Sequence, residues 1–121
     1  MKAIVFNEHG SVDKLKYTDF EEPEVSSSEV LVKVKACGIN HLDIWVREGM
    51  PGITITLPHI LGCEISGEIS KVGNAVKDLS VGQRVLIAPG ISCGKCEYCL
   101  KDRVHFCENK QPIGITKCEI G

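Results

Sequence analysis

The chain lacks a long apolar run, a strong excess of either charge and a leader typical of secretion. No stretch of its 121 residues approaches the roughly 18 apolar residues that a membrane helix needs. The apolar run after Met1 is too short for a signal peptide, so we expect a cytoplasmic protein. The formal net charge is only −2, which gives no reason to expect a nucleic-acid or membrane partner.

An even number of cysteines, the usual sign of a secreted disulfide scaffold, is also missing. The chain has seven cysteines, whereas disulfide frameworks more often carry an even number. Three of them, Cys37, Cys63 and Cys118, are scattered, and the other four lie close together near the end of the chain. In a reducing compartment, clustered thiols are typical metal ligands.

Short β-branched stretches separated by regular glycines dominate the sequence that is present. The clearest strand has Val30, Val32 and Val34 alternating with Leu31, Lys33 and Lys35, so one face of it is polar. Frequent turn signals between short strands favour an irregular β-barrel or sandwich. The predicted strands are Lys2 to Phe6, Lys14 to Phe20, Glu29 to Ala36, Glu64 to Val72 and Gln83 to Ala88.

One short helix is predicted over residues 40–48, where apolar residues recur at helical spacing and Gly49 provides a stop. The apolar face of this helix comprises Leu42, Trp45 and Val46. Asp43 would either cap the helix or orient a metal ligand. His59 follows a proline in a predicted loop, so we expect it at the surface or behind a ligand.

A four-cysteine cluster gives the strongest signal for a metal. Residues 91–109 show no periodicity and contain the spacing Cys-x2-Cys-x2-Cys-x7-Cys. Zn²⁺ favours tetrahedral sulfur ligation, and structural sites are closed by four protein ligands. We therefore predict a structural zinc lobe over residues 91–109, and we expect the nearby His105 at the surface. The predicted ligands are Cys93, Cys96, Cys99 and Cys107.

This cysteine spacing resembles the structural-zinc lobe of the medium-chain zinc alcohol dehydrogenases, and the resemblance covers nearly the whole chain. Residues 62–67, followed by Gly73 and Val76, resemble the Gly-His-Glu signature of that family. Residues 36–43 resemble the loop that carries its first catalytic-zinc ligand. The resemblance implies that residues 1–121 form a GroES-like catalytic domain, a mainly β, partly open barrel with short helices.

The same resemblance implies an oxidoreductase that interconverts alcohols and carbonyl compounds with NAD or NADP. It implies a small-molecule substrate and a homo-oligomer. Family members continue into a Rossmann domain, but this chain has no Gly-x-Gly-x-x-Gly after a strand. The chain therefore looks like an N-terminal fragment that would be inactive alone.

The catalytic positions depart from the family pattern. Asn40 stands where the first cysteine ligand is expected, and Cys63 stands where the histidine is expected. Leu42 replaces the hydroxyl residue that usually relays the substrate proton, whereas Asp43 and Glu64 match. Asparagine is a poor zinc ligand beside a thiolate. The Asn-x-x-acid loop is similar to that of the zinc-free quinone oxidoreductases, which generally lack the structural lobe.

Several interpretations of this cleft stay open. A second zinc could be held by Cys63 and Glu64 with His41 or Cys37. Alternatively, a metal-free cleft could rely on cofactor geometry and on polar donors such as Asn40. A third interpretation is a site without chemistry, in a stand-alone zinc-stabilised binding module. The catalytic candidates are Asn40, Asp43 and Glu64.

Overall fold

A computed structural model describes residues 1–115, which form the mainly β fold that the pattern predicted. Cys118 lies outside the described residues. The first sheet is antiparallel, with β1 (Lys2–Phe6) between β2 (Lys16–Asp19) and β4 (His59–Ile60). The strand predicted from Lys14 is shorter than expected, because Val12–Lys14 forms a 3-10 turn before it.

The second sheet contains the two longest strands. Strand β5 (Glu64–Val72) lies between β3 (Val30–Gly38) and β6 (Arg84–Leu86), again antiparallel. Two irregularities, at Leu31/Val32 and at Val34/Ala36, shift the register between β3 and β5. Such bulges turn side chains to the other face. Leu31 is buried at 7% exposure while Val34 is 49% exposed, whereas Lys33 and Lys35 are exposed as predicted.

A small hairpin and two helical turns make up the cysteine-rich region. Strand β7 (Gly90–Ile91) pairs with β8 (Gln111–Pro112), and the chain between them forms the lobe. Within the lobe, helix α2 (Glu97–Leu100) is followed by a 3-10 turn over Val104–Phe106. The ends of the lobe are therefore held together by β7 and β8.

Helix α1 (His41–Glu48) begins directly after its N-cap, Asn40, and ends at Gly49, as the sequence indicated. Its Val46 is only 1% exposed, and Leu42 packs beside it against the core. Trp45, predicted on the same face, is instead 52% exposed, so the apolar stripe of this short helix is narrower than the spacing suggested.

The central core joins distant parts of the chain. It is formed by Phe6, Val46, Ile55 and Ile115, with partly buried neighbours Leu15, Leu42, Met50 and Leu61. The four buried residues come from β1, from α1, from the segment before β4 and from the segment after β8. Among residues 1–115, no helix is long and apolar enough to cross a membrane.

Candidate metal centre and cleft

The four predicted zinc ligands converge in the folded lobe. Cys93 follows β7, Cys96 is the N-cap of α2, Cys99 lies within α2, and Cys107 follows the second 3-10 turn. Their ligand atoms all lie within 4.8 Å of one another. Two short helical turns thus bring together thiols that are separated by up to fourteen positions in the sequence.

The distances between the sulfurs fit a tetrahedral zinc ion. The Sγ atoms of Cys93 and Cys99 are 4.0 Å apart, and those of Cys96 and Cys99 are 3.5 Å apart. Zinc–sulfur bonds of 2.3 Å in a regular tetrahedron would place neighbouring sulfurs about 3.8 Å apart. The donor set therefore matches a closed, four-cysteine zinc site.

Backbone N–H groups pointed at the sulfurs favour thiolates in this cluster. The N–H groups of Lys95 and Cys96 lower the pKa of Cys93 to about 6. The N–H of Cys99 lowers the pKa of Cys96. By contrast, burial, together with hydrogen bonds from neighbouring sulfurs, raises the pKa of Cys99 to about 11. Without a cation, four adjacent thiols cannot all ionise, so a bound metal would have to displace protons.

His105 lies outside the ligand group, as expected. Its ring packs on Phe106 with centroids 4.2 Å apart. The guanidinium carbon of Arg103 lies 4.9 Å from the centre of the Phe106 ring and 5.9 Å from that of Tyr98. This cation–π stack stiffens the chain between the third and fourth cysteines.

The predicted catalytic candidates meet at the start of α1. The side-chain Oδ1 of Asn40 accepts a hydrogen bond of 3.0 Å from the N–H of Leu42, and the N–H of Asn40 donates to Asp43 Oδ2 at 2.8 Å. These two bonds form a capping box. Of the two alternatives for Asp43, the structure therefore shows helix capping.

Asn40 also joins the helix to the second sheet. Its Nδ2 donates to Glu64 Oε1 at 3.0 Å. Gly38 pairs with Glu64 across the strands, and a Cβ at Gly38 would lie 2.7 Å from Glu64 Oε2. The glycine thus leaves space for the carboxylate, and Asn40 fixes its orientation.

Two thiols lie beside these carboxylates. Cys63 is 9% exposed, and its pKa is raised by burial first and then by Asp43 and Glu64. Cys37 lies at an exposed position on β3. Even so, partial desolvation of its thiol and the charge of Asp43 raise its pKa. A Cβ at Gly62 would lie 2.5 Å from Cys37 Sγ. Both environments therefore favour the protonated thiol.

The three residues suggested for a second zinc are not grouped with the cysteine cluster or with one another. His41 is exposed and packs its ring edge-on against Trp45, with centroids 4.9 Å apart. Within residues 1–115, the four-cysteine cluster is the one group of three or more candidate ligands whose donor atoms come together. Cys63, Glu64 and His41 do not form such a group in this conformation.

The surface and loop alternatives for His59 were wrong. His59, expected at the surface or behind a ligand, is 0% exposed in β4. The centroids of its ring and of the Phe6 ring are 5.5 Å apart. Its Nε2 lies 2.9 Å from the carbonyl oxygen of Gly114. The proline before it suggested a loop, because a strand of two residues is too short to show periodicity.

Comparison with known proteins agrees with this architecture. Residues 26–121 match the alcohol dehydrogenase GroES-like domain. An NAD-dependent alcohol dehydrogenase of Sulfolobus acidocaldarius is 35% identical over 121 residues, a match that covers 96% of this chain and 35% of that protein. The chain thus spans about a third of the length of that relative.

Solved structures give the same result. A crystal structure of an NAD-dependent alcohol dehydrogenase superposes with a TM-score of 0.90 at 39% identity, covering 97% of this chain and 34% of that one. A cobalt- and zinc-bound thermostable alcohol dehydrogenase from Pyrobaculum aerophilum gives a TM-score of 0.87 at 33% identity, covering 97% and 36%. The chain belongs to the alcohol dehydrogenase GroES-like domain family.

Proposed function

We propose that this chain is the catalytic-domain portion of a medium-chain oxidoreductase that interconverts alcohols and carbonyl compounds with NAD or NADP. The observation that carries the proposal is the family match over residues 26–121, together with a relative named as an NAD-dependent alcohol dehydrogenase. The substrate would be a small molecule. We expect a homo-oligomeric enzyme in the cytoplasm, with residues 1–121 acting as one domain.

A structural zinc ion held by the four cysteines is part of the proposal. The separations of 3.5 and 4.0 Å between the sulfur atoms support it, because they are close to the sulfur–sulfur distance in a tetrahedral zinc site. The zinc would fix the lobe, where Leu100, Val104 and Phe106 are 75%, 44% and 51% exposed and so contribute little burial. A bound metal replaces a hydrophobic core in regions of this kind.

In the cleft, Asn40, Asp43 and Glu64 act as one hydrogen-bonded unit. A bound nicotinamide would supply or accept the hydride. Asp43 holds the backbone of Asn40, and Asn40 in turn holds the Glu64 carboxylate at 3.0 Å. Because Asn40 Oδ1 is used by the helix cap, its Nδ2 is the group that orients the Glu64 carboxylate.

A second candidate is a reductase of the same family without a metal in the cleft. One observation favours it. Asn40, which stands where the first ligand is expected, is committed to capping and to Glu64. Hydride transfer in such an enzyme would depend on substrate and cofactor geometry, and quinones or enoyl compounds would be suitable acceptors.

Zinc stoichiometry tests whether the cleft holds a second metal in addition to the structural zinc. We expect elemental analysis of the purified chain to give one zinc ion, a Cys96→Ala variant to give none, and a Cys63→Ala variant to give one. Two zinc ions falling to one in Cys63→Ala would instead establish a rearranged metal site in the cleft.

Activity is tested in the full-length protein. Nicotinamide-linked turnover is followed with alcohols, aldehydes, quinones and enoyl substrates. Turnover of alcohols or aldehydes supports the first candidate, and turnover confined to quinones or enoyl compounds supports the second. The absence of turnover with all four classes would contradict both candidates and leave a zinc-stabilised binding module.

A further inference from the structure

A short segment connects the zinc lobe to the backbone beside Cys63. Only three residues separate Cys107 from β8, and we call residues 111–115 the strap. Pairing with β7 holds the start of the strap, and the N–H of Ile113 donates to the carbonyl oxygen of Pro89 at 2.7 Å. On the lobe side, the N–H of Lys110 donates to the carbonyl oxygen of Cys107 at 3.2 Å. The position of the strap therefore follows from the fold of the lobe.

The other end of the strap packs against the backbone of residues 62–63. Gly114 is so close that a Cβ on it would lie 2.5 Å from the carbonyl oxygen of Gly62 and 3.7 Å from Cys63 Cβ. Its own carbonyl oxygen lies 2.9 Å from His59 Nε2. Ile115, at 9% exposure, then enters the core beside Phe6. The strap thus covers Cys63 on one side.

Glycine is required at this contact for two reasons. Gly114 has a φ of +77°, a conformation that side chains with a Cβ disfavour. The backbone of Gly62, at φ +105°, approaches it from the other side. Two glycine backbones can therefore pack directly, beside the Cβ of Cys63, a residue that is 9% exposed.

We propose that metal occupancy of the four-cysteine cluster controls whether the strap packs over Cys63, so that loss of the metal exposes this thiol. The inference rests on the proposed zinc site but not on the proposed oxidoreductase activity. Without metal, the lobe has few buried apolar contacts of its own: among its described residues, Cys107 is the one buried hydrophobic side chain. The strap then loses the anchor at its β7 end, and local opening becomes easier.

Alkylation by iodoacetamide, read residue by residue by mass spectrometry, tests this on the 121-residue chain. With zinc bound, we expect Cys63 to react slowly, and Cys37, at an exposed position but with its thiol pKa also raised, provides a second measured rate. After zinc is removed with a chelator, Cys63 should react about tenfold faster or more, because its protection depends on local opening. Cys37, on strand β3, is the internal reference and should keep its rate.

Hydrogen exchange separates local opening from unfolding of the whole domain. In the zinc-free chain, amides of the β3–β5 ladder should keep their protection while those of residues 111–115 lose it. Loss of protection in both regions would mean that the domain unfolds as a unit, and this would overturn the strap as a local device.

Alanine substitutions at Gly114 and Gly82 provide matched variants. Gly114→Ala should speed alkylation of Cys63 about tenfold while the zinc content stays at one, because its Cβ would collide with Gly62. Gly82→Ala carries similar strain, since Gly82 has a φ of +87°, but it has no neighbour within 4 Å. That variant should leave the alkylation of Cys63 unchanged.

The failures of the two proposals are distinguishable. If the purified chain binds no zinc, both the zinc site and the strap are refuted. If zinc is bound and removed while Cys63 keeps its slow rate, the strap is refuted and the zinc site stands.

Discussion

Replacing Asn40 should destabilise the domain through two separate interactions. Asn40→Ala removes the N-cap of α1, which costs about 1 kcal/mol. It also removes the 3.0 Å bond from Nδ2 to Glu64. That bond has a charged acceptor, but it is exposed, so we take it as about 0.5–1 kcal/mol. The free energy of unfolding should therefore fall by about 1.5–2 kcal/mol.

Urea unfolding of the zinc-saturated chain, followed by circular dichroism, measures this change. With a urea dependence of about 1.5 kcal/mol per molar, typical of a domain of this size, the midpoint should move down by about 1 M. The slope should not change, because the exposed surface area on unfolding is nearly the same in both proteins.

Asn40→Ser is the matched control, because serine keeps a capping oxygen for the N–H of Leu42 but cannot reach Glu64 as asparagine does. It should recover about 1 kcal/mol of the loss in Asn40→Ala. A double-mutant cycle with Glu64→Gln should give a coupling near the remaining 0.5–1 kcal/mol. If Asn40→Ser is as unstable as Asn40→Ala, the capping argument is wrong; if the coupling is zero, the bond to Glu64 contributes nothing.

Three further variants test the lobe, the second sheet and the core. Cys96→Ser should abolish zinc binding and lower the free energy of unfolding by an amount on the order of 5 kcal/mol. Cys37→Ser, which lies outside the cluster, should keep one zinc ion in elemental analysis. Gly67→Ala should lower the free energy of unfolding in urea by about 1–3 kcal/mol, because its Cβ would lie 2.5 Å from Val32 Cγ1 and 2.6 Å from the carbonyl oxygen of Lys33. The control Ser66→Ala should change it by no more than about 0.5 kcal/mol. Equal losses in the two variants would contradict the steric argument. Phe6→Ala should cost about 3–5 kcal/mol, since Phe6 is 0% exposed, and a loss below about 1 kcal/mol would show that the core relaxes around it.

Long periodic elements were predictable because their pattern repeats often enough to be recognised. Strand β5 occupies Glu64–Val72 as predicted, and α1 begins one residue after its predicted start because Asn40 is the cap. Strands of two residues, such as His59–Ile60, contain no repeat and were missed. The burial of Leu31 and the exposure of Val34 in β3 were also missed, because bulges that shift the register leave no mark in the hydrophobic pattern.

The zinc ligands were predictable because their spacing directly encodes a tetrahedral site within one short segment. The cleft was less accessible, because its residues come from three elements. The alignment of Asn40, Asp43 and Glu64 identified the right neighbourhood, but the bond from Asn40 to Glu64 depends on the pairing of Gly38 with Glu64. No local pattern reports such a cross-strand pairing.

The composition of the core affects how this domain folds as it is synthesised. Phe6 emerges from the ribosome early, but its partner Ile115 emerges more than a hundred residues later. Closing a loop of that length costs about 4 kcal/mol in chain entropy, so the contact cannot help to nucleate folding. Until Ile115 arrives, the core of Phe6, Val46 and Ile55 lacks one of its four buried members on the nascent chain. Hence this core is completed only after residue 115 has been made, and the part that Ile115 covers is open to aggregation or chaperone binding until then.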